Sequence, residues 1–438
     1  MLRAGSCDAI HLQHLNAVPG LFPDQMAACD FRSRTGSIAS SRGKNMKRRT
    51  LLKMAGATAL AGVFPAQILR AREPDEFHIA AILAFSGPYG LIGTDMRKGA
   101  ELAVAHRGGK VLGKSIRFSW EDDETKPQPA VQKATRLLAG GAQTIFGAVG
   151  SASTLALQSL ANQRKVPLLV TISADDAITK RNGSRYTFRT SNTLGMEIRM
   201  CVEFVKTAGL KKIYGVTADY QATREAWEQF SVLAANIGVE IVGGDFASLG
   251  NRDYSVIIDK IAKTNAEGII VVATGNDGVT FVKQAGQVGL GKSKTIFGPV
   301  LQDETFAAAT GPAALGVQSG VRYHFSIDNP QNGKFVDAYR AIHGSFPSSF
   351  AGEAYDGLSW WLDVVESTDK WDIEAWVNAF ETSVRENSLE GRKEMRPCDH
   401  QAAQAGLWGE VVRGEAPLPE LTMKITNVFP ADKLFDAC

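Results

Sequence analysis

Two patterns of apolar positions alternate along this chain. Short β-branched runs give way to longer stretches with an apolar residue every three or four positions, the signature of strands alternating with helices. Phe77–Phe85, Ser115–Glu121, Thr144–Phe146 and Val166–Thr171 read as strands, with Met96–His106, Pro129–Leu138 and Leu155–Asn162 as the helices among them. Arg181–Ser191 bridges to a second series of the same kind. Its predicted helices are Glu197–Thr207, Arg224–Asn236, Tyr254–Thr264 and Gly278–Val288, and its strands are Lys212–Thr217, Val239–Asp245, Gly268–Ala273 and Thr295–Pro299. Such a rhythm predicts two parallel, doubly wound α/β lobes. From Leu315 a strand leads into helices Gly333–His343 and Gly352–Glu366, which are expected to return to the first lobe. Leu389–Val412 and Leu421–Val428 alternate apolar and polar residues like short antiparallel strands. The expected division is therefore 73–190 with 321–395 in one lobe, and 191–320 with 396–438 in the other.

The most informative stretch is Gln143–Ala177, which reads as strand, tight turn, helix, strand, turn. The run Thr144–Phe146 breaks at Gly147 and Gly150, and Ser151, Ser153 and Thr154 open the helix that follows. The next strand ends in Ser173, Asp175 and Asp176. Two adjacent strand ends thus present hydroxyls and free amides to one crevice, where open parallel sheets bind ligands. A helix N-terminus ringed by hydroxyls favours a carboxylate or phosphate through its unsatisfied N–H groups and dipole; the alternative is that these residues are only helix caps. Ser86 and Tyr89, in the turn after the first strand, point to the same crevice, as does Asn276 beyond Gly268–Ala273. Tyr89, Tyr220 and Tyr355 are candidates to wall it, or else pack within the lobes. Trp360 and Trp361 are expected in the core.

Composition changes this picture little, but charge changes it at one end. The 438 residues are 44% hydrophobic and 21% charged, an ordinary globular balance with length enough for two cores. Residues 1–75 hold 11 Lys/Arg against 5 Asp/Glu, leaving 37 against 41 in the remainder, so the body carries no basic nucleic-acid surface. The positive excess precedes an apolar, Ala/Gly-rich run, Met54–Val63, too short to span a bilayer, which takes roughly 20 residues. Met46-Lys47-Arg48-Arg49-Thr50-Leu51-Leu52-Lys53 resembles a twin-arginine export signal, so 46–72 is expected to be a signal peptide cleaved between Ala66 and Arg72. Residues 1–45, without periodicity, are expected to be a non-structural extension. No cysteine lies at the cleavage region, which implies a soluble periplasmic product without a lipid anchor. Cys201, Cys398 and Cys438 show no CxxC or Cys/His grouping, so neither a disulfide framework nor a metal site is expected.

Several motifs are refused. Gly286–Ser293 satisfies the phosphate-loop pattern G-x-x-x-x-G-K-S, but a helix precedes it and a strand follows, the reverse of a true phosphate loop. Gly289 and Gly291 are better explained as left-handed residues stopping a helix. His106, His324, His343 and His400 are scattered, and no G-x-S-x-G occurs, so no catalytic residue is named. Gly147 and Gly150 lack the third glycine of a dinucleotide motif, and no cofactor is expected.

The Ser86-Gly87-Pro88 turn, Gly99–Ala103, Asp122-Asp123-Glu124, Gly150–Thr154, Gly298-Pro299 and Ala354–Leu358 together resemble the type I periplasmic solute-binding proteins of ABC importers, the leucine/isoleucine/valine-binding family. The likeness covers roughly 76 to 430, and Arg396–Gln401 resembles family tails, with a structural role implied for His400. The resemblance implies two Rossmann-like lobes joined by three crossovers, near Arg189–Thr193, Gly320–His324 and Arg396–His400. It implies a monomer that captures a small carboxylate-bearing solute (an amino acid, an amide or an aromatic acid) and presents it to an ABC permease. Ser151 and its N–H would take the carboxylate, with the Ser173 backbone beside it. The chain departs from the family pattern at Asp175, where a hydroxyl is usual, at Ala222, where a tyrosine often closes the pocket, and at Val300, where an acid can pair a ligand ammonium. Asp303 is a candidate substitute for that acid. A periplasmic sensor subunit and an exported α/β enzyme are the alternative readings.

Overall fold

The computed structural model describes residues 74–435; the expected signal segment 46–72, the expected extension 1–45 and Cys438 lie outside them. The first sheet contains β1 (Glu76–Leu83), β2 (Lys110–Val111), β3 (Lys114–Asp122), β4 (Thr144–Gly147), β5 (Leu168–Val170) and β6 (Thr187–Arg189), in the order β2-β3-β1-β4-β5-β6. All neighbours are parallel except the β2–β3 edge hairpin. β1 is an almost unbroken buried run, EFHIAAIL, as a central parallel strand covered on both faces must be, whereas β3 near the edge is half-exposed. Helices α1 (Gly90–His106), α2 (Pro127–Ala139) and α3 (Ser151–Arg164) supply the crossovers. One face buries Phe77, Ile79, Met96 and Leu358, and the other Ile145, Leu157 and Leu168.

After β6 the chain crosses to helix α4 (Leu194–Ala208) and to a second sheet. Its parallel strands β7 (Lys212–Ala218), β8 (Glu240–Ala247), β9 (Gly268–Val272), β10 (Thr295–Gly298) and β11 (Gln318–Val321) alternate with α5 (Gln221–Asn236), α6 (Ser255–Ala262), α7 (Asn276–Gln287) and α8 (Glu304–Thr310). The chain then returns to the first lobe through α9 (Pro330–His343), α10 (Ser349–Ser367) and α11 (Ile373–Glu381). A small antiparallel sheet, β12 (Val384–Ser388), β13 (Gly391–Met395) and β14 (Ala402–Ala403), precedes the third crossing. Antiparallel β15 (Gly406–Arg413) and β16 (Leu421–Phe429) complete the second sheet, in the order β16-β15-β11-β10-β9-β7-β8. The result is a mixed α/β fold of two lobes. No helix among the described residues is long and apolar enough to cross a membrane.

Several expectations need correcting. Arg181–Ser191 is more than a bridge, because Thr187–Arg189 pairs with β5 as the last strand of the first sheet. A three-residue strand ending in arginine gives no apolar run to read. Gly289 is left-handed (φ +69°), as expected, but Gly291 is not and lies within a short 3₁₀ turn, Leu290–Lys292. Cys398 is disulfide-bonded, although its spacing suggested no framework; sequence distance carries no information on such pairing. Trp360 and Trp361 are core residues. The His400 ring stacks on Phe188 (4.4 Å between centroids), and its carbonyl accepts the Arg189 N–H at 2.9 Å, tying the segment that leads to β14 to the end of β6.

Candidate functional site

In each sheet the strand order reverses at one point, and the two reversals face one another across a cleft. In the first lobe the reversal lies between β1 and β4, whose C-terminal ends carry Tyr89 and Ser151; in the second it lies between β7 and β9, followed by Tyr220 and Thr274. Ligands of open α/β sheets lodge at such points. A cavity of about 60 Å³ occupies the cleft, lined by residues of both lobes, among them Tyr89, Ser151, Ile172, Glu197, Tyr220, Thr274, Val300 and Arg322.

The turn between β4 and α3 makes the first-lobe wall. Gly147 has φ +128°, and a Cβ there would sit 2.0 Å from the Ile82 carbonyl oxygen, so only glycine lets β4 lie against β1 and turn. The chain then enters α3 at Ser151, whose N-cap, Gly150, has no side chain to satisfy the first amides. Ser151 Oγ lies 3.3 Å from Ser173 Oγ and accepts the Asp175 N–H at 3.3 Å, linking the ends of β4 and β5. Behind them the wholly buried Arg189 guanidinium donates to the carbonyls of Ser173 (3.3 Å) and Asp175 (2.7 Å) and to Gln401 Oε1 (2.5 Å), fixing the turn after β5. Burial lowers the Arg189 pKa to about 10.

Most of the other residues expected here are placed elsewhere. Thr154 Oγ1 closes on the Gly150 carbonyl at 3.1 Å and Ser153 is turned inward beside Asp123, so neither hydroxyl lines the cavity. Ser86 is exposed at the lip, its hydroxyl on the Asp122 carboxylate. Asp175 Oδ1 accepts the Ala177 N–H at 2.8 Å, capping its own turn, and burial pushes its carboxyl above the usual range. Asp303 caps α8 through the Phe306 N–H (2.9 Å) and accepts the Ser349 N–H (3.2 Å), spending both oxygens outside the cavity. Tyr355 lies on the far face of α10, its hydroxyl 2.8 Å from His106 Nδ1 and its ring on Phe335.

The lips of the cleft touch. Tyr89 Oη donates to Tyr220 Oη at 3.3 Å, and burial raises both phenols above their usual value. Tyr220, two residues before Ala222, thus closes the cleft itself. Asn276 Nδ2 donates to the Gly87 carbonyl at 3.2 Å, and Arg181 forms a two-pronged pair with Glu225 (2.9 and 3.0 Å). Gly275, with φ +75°, permits that approach, since a Cβ there would lie 2.6 Å from the Pro88 carbonyl oxygen.

Two cavity residues went unread in the sequence. Arg322, just past β11, donates through Nε to Glu197 Oε1 at 2.6 Å and through Nη1 to the Ile172 carbonyl; their side chains are 4% and 2% exposed. Burial pushes the Glu197 carboxyl up while Arg322 opposes it. A separation of 125 residues hides this pair from any local motif. Val300 also lines the cavity, with φ +46°, a conformation β-branched residues rarely adopt. Among the described residues no grouping of His, Cys, Asp and Glu fits a metal ion.

The sequence matches the periplasmic binding protein family over residues 76–416. A Leu/Ile/Val-binding protein homolog of Brucella melitensis is 29% identical over 305 residues, which cover 67% of this chain and 77% of that protein. The structure resembles a solute-binding protein of an ABC transporter from Rhodopseudomonas palustris in complex with 3,4-dihydroxybenzoic acid (TM-score 0.77, 26% identity, covering 82% of this chain and 98% of that one). A second R. palustris solute-binding protein, in complex with benzoate, superposes with TM-score 0.73 at 26% identity, covering 80% of this chain and 97% of the other.

Proposed function

The chain belongs to the periplasmic binding protein family, and from that premise we propose that it is the substrate-binding component of an ABC importer, capturing a small carboxylate-bearing solute between its lobes and delivering it to a membrane permease. The observation that carries this reading is the cleft itself. Two sheet reversals face one another, and Ser151 at the start of α3 lies on one wall with the Tyr89–Tyr220 contact bridging to the other. A helix N-terminus with a hydroxyl beside it offers a carboxylate charge-assisted hydrogen bonds, and the R. palustris relatives were crystallised with aromatic carboxylates. Binding needs no chemistry from the protein, and the product is read as a monomer that docks on the permease when closed.

Closure follows because the lobes are joined only by three crossings and can move as rigid bodies about them. Small-angle scattering of the purified protein, before and after saturation with benzoate or L-leucine, is expected to give a smaller radius of gyration with whichever probe binds. An identical profile with a probe that calorimetry shows to be bound would rule out a clamp. Export through the twin-arginine route is part of the same proposal and is supported by Lys47–Lys53. Replacing Arg48 and Arg49 by lysine should leave precursor in the cytoplasm, and unchanged export would refute it.

A further inference from the structure

We propose that the cleft selects a monocarboxylic acid with an apolar, aromatic or branched body and no ammonium group, and discriminates against α-amino acids. The inference rests on the cleft being the solute site.

A zwitterionic amino acid brings two charges into a closed cleft, and each needs a counter-group once water is expelled, since an unpaired buried charge is strongly disfavoured. For the carboxylate the first-lobe wall supplies Ser151 and the opening amides of α3. For an ammonium the position is the reverse. Among the described residues Glu197 is the one carboxylate lining the cavity, and it is already neutralised by Arg322 at 2.6 Å. The acids nearby do not line the cavity and are engaged with other groups. Asp175 caps Ala177, Asp303 caps Phe306 and receives the Ser349 N–H, Asp277 takes the Gly250 N–H on both oxygens (3.1 and 2.8 Å), and Glu225 holds Arg181. On the second-lobe wall Val300 presents an apolar side chain, held in a backbone conformation unfavourable for valine. The wall between these points is apolar, with Ile92, Val149, Leu194, Val272 and Phe350. A ligand with one negative end and an uncharged body is served by Ser151 and the α3 amides alone; an α-amino acid leaves its ammonium with no unpaired acid lining the cavity.

The test uses pairs that differ only by the amine: 4-methylpentanoate against L-leucine and 3-phenylpropanoate against L-phenylalanine, with benzoate as a compact aromatic acid. Each is titrated calorimetrically into the mature protein after unfolding and refolding to remove any ligand carried through purification. The expected result is that the acid without the amine binds at least about tenfold tighter in at least one pair, a difference of about 1.4 kcal/mol. Equal or tighter binding of the amino acids would overturn this inference while leaving the solute site intact. No binding by any of the five probes up to about 1 mM, the weak end of specific affinity, would overturn both this inference and the carboxylate reading of the cleft.

Discussion

Replacing Ser151 by alanine tests the carboxylate site most directly, because the geometry separates its effect on binding from its effect on folding. Among the described residues Ser151 Oγ makes two long contacts, 3.3 Å to Ser173 Oγ and 3.3 Å from the Asp175 N–H. Both lie beyond the usual hydrogen-bond distances, so losing them should cost less stability than the 0.5–1.5 kcal/mol of a typical hydrogen bond, roughly. The turn around them is held independently by Arg189, through the Ser173 and Asp175 carbonyls. A ligand carboxylate, by contrast, loses a charge-assisted hydrogen bond worth about 1.5–3 kcal/mol, while the α3 amides remain. Affinity should fall by roughly one to two decades. Calorimetric titration of parent and Ser151→Ala with the tightest of the carboxylate probes measures this, and thermal unfolding without ligand should give nearly equal Tm values. The paired control is Asp175→Asn. Asparagine keeps an acceptor for the Ala177 N–H, so binding should be unchanged or slightly tighter as a neighbouring negative charge disappears. Parent-like affinity in Ser151→Ala would sink the carboxylate site, and a loss above about 1.5 kcal/mol in Asp175→Asn, the scale of a hydrogen bond to a charge, would mean that Asp175 grips a cation on the ligand.

Other expectations follow from buried groups. Lys393 is wholly buried among Glu353 (3.4 Å), Asp356 (3.1 Å) and Glu390 (3.0 Å), so Lys393→Met strands these acids and should cost about 3–5 kcal/mol in urea unfolding; a loss under 1 kcal/mol, roughly the worth of a surface pair, would show the cluster to be dispensable. Burial raises the Asp277 carboxyl from 3.8 to about 6, so its contribution to stability is fully present below pH 3.8 and is lost as pH rises through 6. Asp277→Asn, which keeps an acceptor for Gly250, should therefore raise Tm relative to the parent at pH 7 and lose that advantage by pH 4; a constant offset across this range would contradict the assignment. In Gly99→Ala the new methyl would sit 2.1 Å from the Ala351 carbonyl oxygen, forcing α1 and α10 apart; such overpacking typically costs about 1–3 kcal/mol, and an unchanged Tm would show that the helices slide freely. Tyr220→Phe removes the hydroxyl contact with Tyr89 across the cleft and should weaken ligand binding through faster release, read as a higher dissociation rate in stopped-flow fluorescence; an unchanged rate would make that contact incidental to closure.

The fold was legible wherever local pattern and global role agreed. The buried runs of β1 and β9 and the amphipathic stretches between strands carry the parallel lobes on their own, and the reversal points follow once strand order is known. Within the cleft, Ser151 was readable because a Gly-turn followed by hydroxyls marks a helix start; the same signal over-reached at Ser153, which points around the axis to Asp123, and at Thr154, which shares the Ser151 face but spends its hydroxyl on the Gly150 carbonyl. Tyr89 and Tyr220 were legible as strand-end aromatics, but so was Tyr355, and nothing in sequence distinguishes the face of α10 on which it lies. The acids show the deeper limit. Asp175, Asp277 and Asp303 look alike as strand-end carboxylates, and whether such a group greets a ligand or caps a backbone turn depends on an N–H whose position is set by the loop. Arg322 and Glu197, the pair that sets the charge of the cavity wall, sit in segments whose local sequence reads as connection and helix start. What brings them together is the meeting of the second crossing with the helix that follows the first, so the charge on this cleft wall is a property of the joints between the lobes and not of either lobe's own motif.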